Sequence, residues 1–92
     1  MLTKVLGPTQ VLILSGTAQS VTVTNADGSE PQKIRVATGG SPIYIDFYTT
    51  ATTTASVMIP ANWSEHFKLV SPLDNETVSV IGSGTVSITS VA

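Results

Sequence analysis

The chain has 92 residues, of which six are acidic and four are basic, and it contains no cysteine. Disulfides and thiolate zinc sites are therefore excluded, and the single histidine cannot build a histidine-rich metal centre. Charged residues make up only 11%, against about 25% in an ordinary soluble domain, and Lys4, Lys33, Arg35 and Lys68 are spread along the sequence. That spacing offers no basic stripe for nucleic acid, and so low a charge predicts a surface largely covered by partners.

Taken in chain order, every apolar run is short, alternates with Thr or Ser, and stops at Gly, Pro or Asn. Strands are predicted at residues 3–6, 11–15, 20–24, 33–38, 43–48, 56–59, 65–70, 77–81 and 85–89, and no segment carries a helical period. Residues 1–8, ending in Gly7-Pro8, read as an N-terminal contact arm. The run Val11-Leu12-Ile13-Leu14 falls far short of the roughly 20 residues a membrane helix needs, and no targeting signal is legible, so the chain is expected to be cytoplasmic when made.

Asn25-Ala26-Asp27-Gly28-Ser29 has the chemistry of a hairpin turn, Gly39-Gly40 with Pro42 reads as a second reversal, and Gly82-Ser83-Gly84 reads as a tight hairpin joining the last two strands. The sets Val21 and Val23, then Ile43, Ile45 and Phe47, recur every second residue, the period of a strand with one face in a core. The Thr-rich stretch from Thr49 to Thr54 reads as a projecting loop. Short strands recurring about every 8–12 residues predict a single all-β domain over 1–92, an antiparallel β-sandwich of jelly-roll or immunoglobulin-like topology.

His66 adjoins Ser64 and Glu65, but along one strand Ser64, His66 and Lys68 share a face opposite Glu65 and Phe67. Glu65 thus points away from the ring it would have to orient, and no nucleophile elbow is present, so no catalytic residue is expected. Asp27 and Glu30 lack the oxygen series a calcium loop needs, and no metal or cofactor is expected. Trp63, Tyr44 and Tyr48 offer aromatic faces for a glycan. Trp63 also suits a lid over one end of the sandwich or a subunit interface. Asn62-Trp63-Ser64 and Asn75-Glu76-Thr77 match the glycosylation acceptor pattern but read as chance matches in a chain this rich in Ser and Thr.

The C-terminal third resembles small virion proteins of tailed bacteriophages. The residues that carry the resemblance run from Met58-Ile59-Pro60-Ala61-Asn62-Trp63 through Val78-Ser79-Val80-Ile81-Gly82-Ser83-Gly84-Thr85-Val86-Ser87-Ile88-Thr89. The resemblance implies a capsid decoration or cement protein, a β-sandwich bound to the outside of the head and often trimeric. Its partners would be the major capsid protein and further copies of itself, without nucleic acid or membrane, and its location the virion surface after synthesis in the host cytoplasm. The contact residues expected on this reading are Met1, Leu2, Val5, Leu6, Thr49, Thr50, Thr52, Thr53 and Trp63. A receptor- or glycan-binding module of a fibre and a small tail, connector or head-closure protein are the rival expectations, because one fold hosts all of them.

Overall fold

The computed structural model describes residues 4–29, 31–47, 50–69 and 77–92. Among these residues all regular structure is β, in seven strands: β1 (Gln10–Ser15), β2 (Gln19–Thr22), β3 (Lys33–Thr38), β4 (Ile43–Asp46), β5 (Val57–Ile59), β6 (Ser64–Lys68) and β7 (Thr77–Ser90). Every pairing between named strands is antiparallel. The all-β expectation is met.

The strands form one continuous sheet, and β7 is why. Its second part pairs with β1 on one edge and β3 on the other, while its first part pairs with β2 and β4. Each remaining stretch of chain follows β7 around a corner. Gly16 lies against Gly82, its N–H donating to the Gly82 carbonyl at 2.8 Å, and Gln19 is already opposite Val80. β1 and β2 are thus one row broken at the corner. In the same way Gly39 donates to Thr85 while Ile43 is opposite Gly82, so β3 and β4 form a second row. β5 and β6 flank that row as a third. The spatial order places the last strand between the first and second rows.

The predicted hairpin at Gly82-Ser83-Gly84 is therefore a bend within a single strand of 14 residues. Its physical reason lies in parity. Val78, Val80, Val86 and Ile88 all face the core, and Gly82 and Gly84 keep the same parity through the corner, Gly82 partly buried and Gly84 exposed. A Cβ on Gly82 would stand 3.0 Å from the Pro42 carbonyl oxygen and 3.1 Å from the Ile43 Cα, and its φ is 153°. Only glycine lets the two rows close on each other there. The predicted reversal at Gly39-Gly40 and Pro42 is likewise a corner, with the chain keeping its direction along β7. The Asn25–Ser29 turn is not a hairpin either, because β2 and β3 do not pair and lie on opposite edges of β7.

Curling brings both parts of the sheet onto one core. Leu14, Ile34, Val36, Val86 and Ile88 come from one part and Ile43, Ile45, Ile59, Val78 and Val80 from the other, and all are buried in a single cluster. Phe47, just past β4, meets Phe67 of β6 with ring centroids 5.3 Å apart, although β4 and β6 share no ladder. A tilted aromatic pair of this kind adds to the area it buries. At the open end, Ser90 Oγ donates to Asn25 Oδ1, and Asn25 Nδ2 donates to Ser29 Oγ at 3.0 Å, tying the crossing between the first two rows to the end of β7.

The first predicted strand, residues 3–6, is reduced among described residues to a single bridge between Val5 and Val91, with Leu6 N–H donating to Ser90 O and Ala92 N–H to Lys4 O. This part of the arm lies along the end of β7, continuing the first row. The predicted Thr-rich loop is also pinned where it is described. Ala51 is buried and its N–H donates to Ser79 Oγ at 2.9 Å, while Thr52 and Ser56 close a turn on each other. Val70 and Tyr48, assigned to strand ends from the sequence, lie outside the described residues.

Candidate docking surfaces

The outer face of β1, the second part of β7, β3 and β6 can be read directly from register. Ile13 is opposite Thr85, and Val11 is opposite Ser87, which in turn is opposite Ala37 and then Ser64. Thr89 is opposite Arg35, and Arg35 is opposite His66. Lys33 is opposite Lys68 at the far end. The face thus grades from exposed aliphatic residues, through a hydroxyl row, to a basic border. Among the described residues of these strands no Asp or Glu belongs to it, since Glu65 has the other parity, opposite Val36.

The basic border corrects the impression of scattered charge. Lys33, Arg35 and Lys68 are three of the four Lys and Arg residues in the chain, and pairing of β3 with β6 gathers them beside the only histidine. Residues directly opposite on antiparallel strands hold their Cβ atoms about 4.5–5.5 Å apart, and like charges there oppose folding. Among the described residues none of the four forms an ion pair. Lys33 and Lys68 also border an open cavity of about 820 Å³ whose other polar walls are Asn25, Ser29 and Gln32.

The second feature is the free edge of the first row. Among the described residues β1 pairs only with β7, and its exposed residues Val11 and Ile13 are 64% and 75% accessible. The Gly16 to Gly82 hydrogen bond fixes the even-numbered residues of β1 as those bonded to β7, so the backbone groups of Val11 and Ile13 face outward. There the Ile13 carbonyl accepts from Gln19 Nε2 at 2.9 Å.

The residues expected to make contacts are distributed as follows. Val5 is 64% exposed on the free edge and Leu6 is partly buried, whereas Met1 and Leu2 lie outside the described residues. Thr50, Thr52 and Thr53 are exposed at the turn before β5, and Thr49 lies outside the described residues. Trp63 is 55% exposed at the corner between β5 and β6, not a buried lid. Its indole N–H donates to Glu65 Oε2 at 3.0 Å, and its backbone is held through the Thr38 hydroxyl. Sequence reasoning passed over Val11, Ile13 and the basic border, which become surface features only once the pairing partners are known.

For the chemistry considered from sequence, Tyr44 is opposite Met58 and Ile81 in β4, while Tyr48 lies outside the described residues. His66 has a guanidinium as its cross-strand neighbour, and the Glu65 carboxylate is engaged by Trp63. Among the described residues no group of three or more His, Cys, Asp or Glu is placed to hold a metal ion. Asp27 accepts from the Ser29 hydroxyl at 2.6 Å and the Ser29 N–H at 2.9 Å, which holds its carboxyl below the ordinary value of 3.8 and closes the turn on itself. No helix is long and apolar enough to cross a membrane among the described residues. No protein-family model matches the chain, and no curated protein or solved structure is detectably similar to it.

Proposed function

We propose that this chain is a non-enzymatic structural virion protein, a decoration or cement subunit that attaches to the outside of a phage head. Its partners on this reading are the major capsid protein and further copies of itself. The observation that supports the reading is the outer face of β1, β7, β3 and β6, on which exposed aliphatics, hydroxyls and cations lie side by side with no carboxylate among the described residues of these strands. A mixed surface of this kind suits a protein partner, whereas a phosphate track needs a continuous basic stripe. The like charges of Lys33 and Lys68, directly opposite each other across the ladder, are compensated when acidic groups are docked against them. Binding only to the assembled shell would then stabilise that shell by mass action, about 2.7 kcal/mol per site at one hundred times the dissociation constant.

The test is the copy number of the chain in purified particles, measured against the major shell protein by quantitative mass spectrometry. Hundreds of copies in fixed ratio to the shell subunit are expected. A handful would move the protein to a tail, connector or fibre, and absence from particles would overturn the virion reading.

A further inference from the structure

We propose that the free edge of β1 pairs with β1 of a second copy of this chain, antiparallel and two-fold symmetric, centred on Leu12. Edge strands are usually protected by lysines, prolines, bulges or covering segments, because their unpaired N–H and C=O groups invite another strand. Gln10–Ser15 has no charge and no proline, and among the described residues only the Gln19 amide covers any of its outward backbone groups. Its residues are also self-complementary. With Leu12 opposite Leu12 of the second copy, Val11 falls opposite the other copy's Ile13 and Ile13 opposite its Val11.

This register uses the backbone polarity the fold already sets. Val11 and Ile13 turn their N–H and C=O groups outward, so they are the residues able to exchange reciprocal hydrogen bonds with the second strand. Their side chains, among the most exposed large hydrophobics of the described residues, then bury each other on one face. A register centred on Ile13 would instead set Val11 against Ser15. Pairing requires the Ile13 carbonyl to exchange the Gln19 amide for a backbone N–H, so Gln19 acts as a displaceable guard on the edge. The two-fold axis stands normal to the sheet, and the carboxylate-free face continues across the seam on the same side of both copies. The inference does not depend on the virion reading.

The absence of cysteine makes the test direct. Sedimentation equilibrium of the full chain should give a two-copy mass that falls to one on dilution. Ile13→Lys should raise the dissociation constant at least about ten-fold, with a melting temperature equal to the parent's at dilutions where both are single chains, the position being exposed. Under mild oxidation Leu12→Cys should form a disulfide-linked pair, since non-hydrogen-bonded antiparallel neighbours have Cα atoms about 4.5 Å apart. Ile13→Cys alone, a diagonal neighbour of itself, should not. A mixture of Val11→Cys and Ile13→Cys, joined by a short thiol cross-linker, should link unlike chains over like ones, which covers the case in which Leu12→Cys fails to fold. A chain that stays single at millimolar concentration, an assembly of three, or a two-copy mass indifferent to Ile13→Lys would overturn the proposal. Linking of Ile13→Cys to itself in preference to the mixed pair would overturn the register.

Discussion

Replacing Gly82 by alanine tests whether the corner, and not merely the hydrophobic pattern, determines this fold. The added Cβ meets the Pro42 carbonyl oxygen at 3.0 Å, the Ile43 Cα at 3.1 Å and the Ile43 Cγ2 at 3.2 Å, and two of those atoms are backbone that cannot swing aside. Overpacking costs about 1–3 kcal/mol and a non-glycine residue in a sparsely populated backbone region about 1–3 kcal/mol more, so a loss near 3 kcal/mol is expected. For a domain of this size that lowers the melting temperature by roughly 12–24 °C. Two other glycines separate the causes. Gly28 has φ 86° and empty space around its Cβ direction, so Gly28→Ala should lose only about 1–2 kcal/mol. Gly40 has neither a close neighbour nor a positive φ, so Gly40→Ala should be neutral or gain about 0.4–1 kcal/mol through the unfolded chain. Urea unfolding of the three variants measures the order. A Gly82→Ala protein within 1 kcal/mol of the parent, or a Gly40→Ala protein equally damaged, would refute the reasoning.

Three further outcomes follow from the surface. Trp63→Ala should cost less than about 1 kcal/mol in urea unfolding, because the ring is 55% exposed and its indole bond to Glu65 is at the surface; a loss above 3 kcal/mol would restore it to the core. Lys68→Glu places opposite charges across the ladder from Lys33 and should raise stability by a few tenths of a kcal/mol while weakening attachment to the shell, read by co-sedimentation with particles at low and high salt. For Asp27 the folded carboxyl lies below its ordinary 3.8, so its contribution is present above that pH and is lost as pH falls through the folded value. The melting temperatures of the parent and Asp27→Asn should therefore converge on acidification from pH 5 to pH 2, and a constant gap would contradict the assignment.

Much of the core was legible because strand alternation is local. Of the residues read as inward, Val23, Ile43 and Ile45 are buried and Val21 and Phe47 are partly buried against them, and the same alternation carries Ile34 and Val36, Val78 and Val80, and Val86 and Ile88 into the core. What the pattern could not express was connectivity. Glycine reports where a side chain cannot fit and says nothing about whether the hydrogen-bonded ladder continues past it. Gly82-Ser83-Gly84 and Gly39-Gly40 therefore looked like reversals when both are corners. One signal was available: inward parity runs unbroken from Val78 through Gly82 and Gly84 to Ile88, as one strand would keep it. The basic border was hidden for a related reason. Lys33 and Arg35 share a parity in one strand and His66 and Lys68 share one in another, but only long-range pairing decides that these two strands are neighbours. Because β7 is last in sequence and central in space, nearly every such neighbour relation is non-local.

The size of the docking face links the two proposals. Four strands about 4.8 Å apart and about six residues long present roughly 300–400 Å² on one copy. A stable interface needs about 800 Å² per partner, so a single copy on that face alone would be held weakly and reversibly. Pairing through β1 doubles the face without changing its composition, setting Val11 and Ile13 in a central seam and a basic border at each end. Two weak contacts joined rigidly then act together, and the second forms at the effective concentration set by the first. If that coupling is real, Ile13→Lys, which touches the basic border nowhere, should weaken attachment to particles as much as it weakens pairing. Lys68→Glu should weaken attachment and leave pairing intact. Loss of attachment by Lys68→Glu alone, with Ile13→Lys bound as tightly as the parent, would mean that single copies suffice and that β1 has no part in holding the protein to its partner.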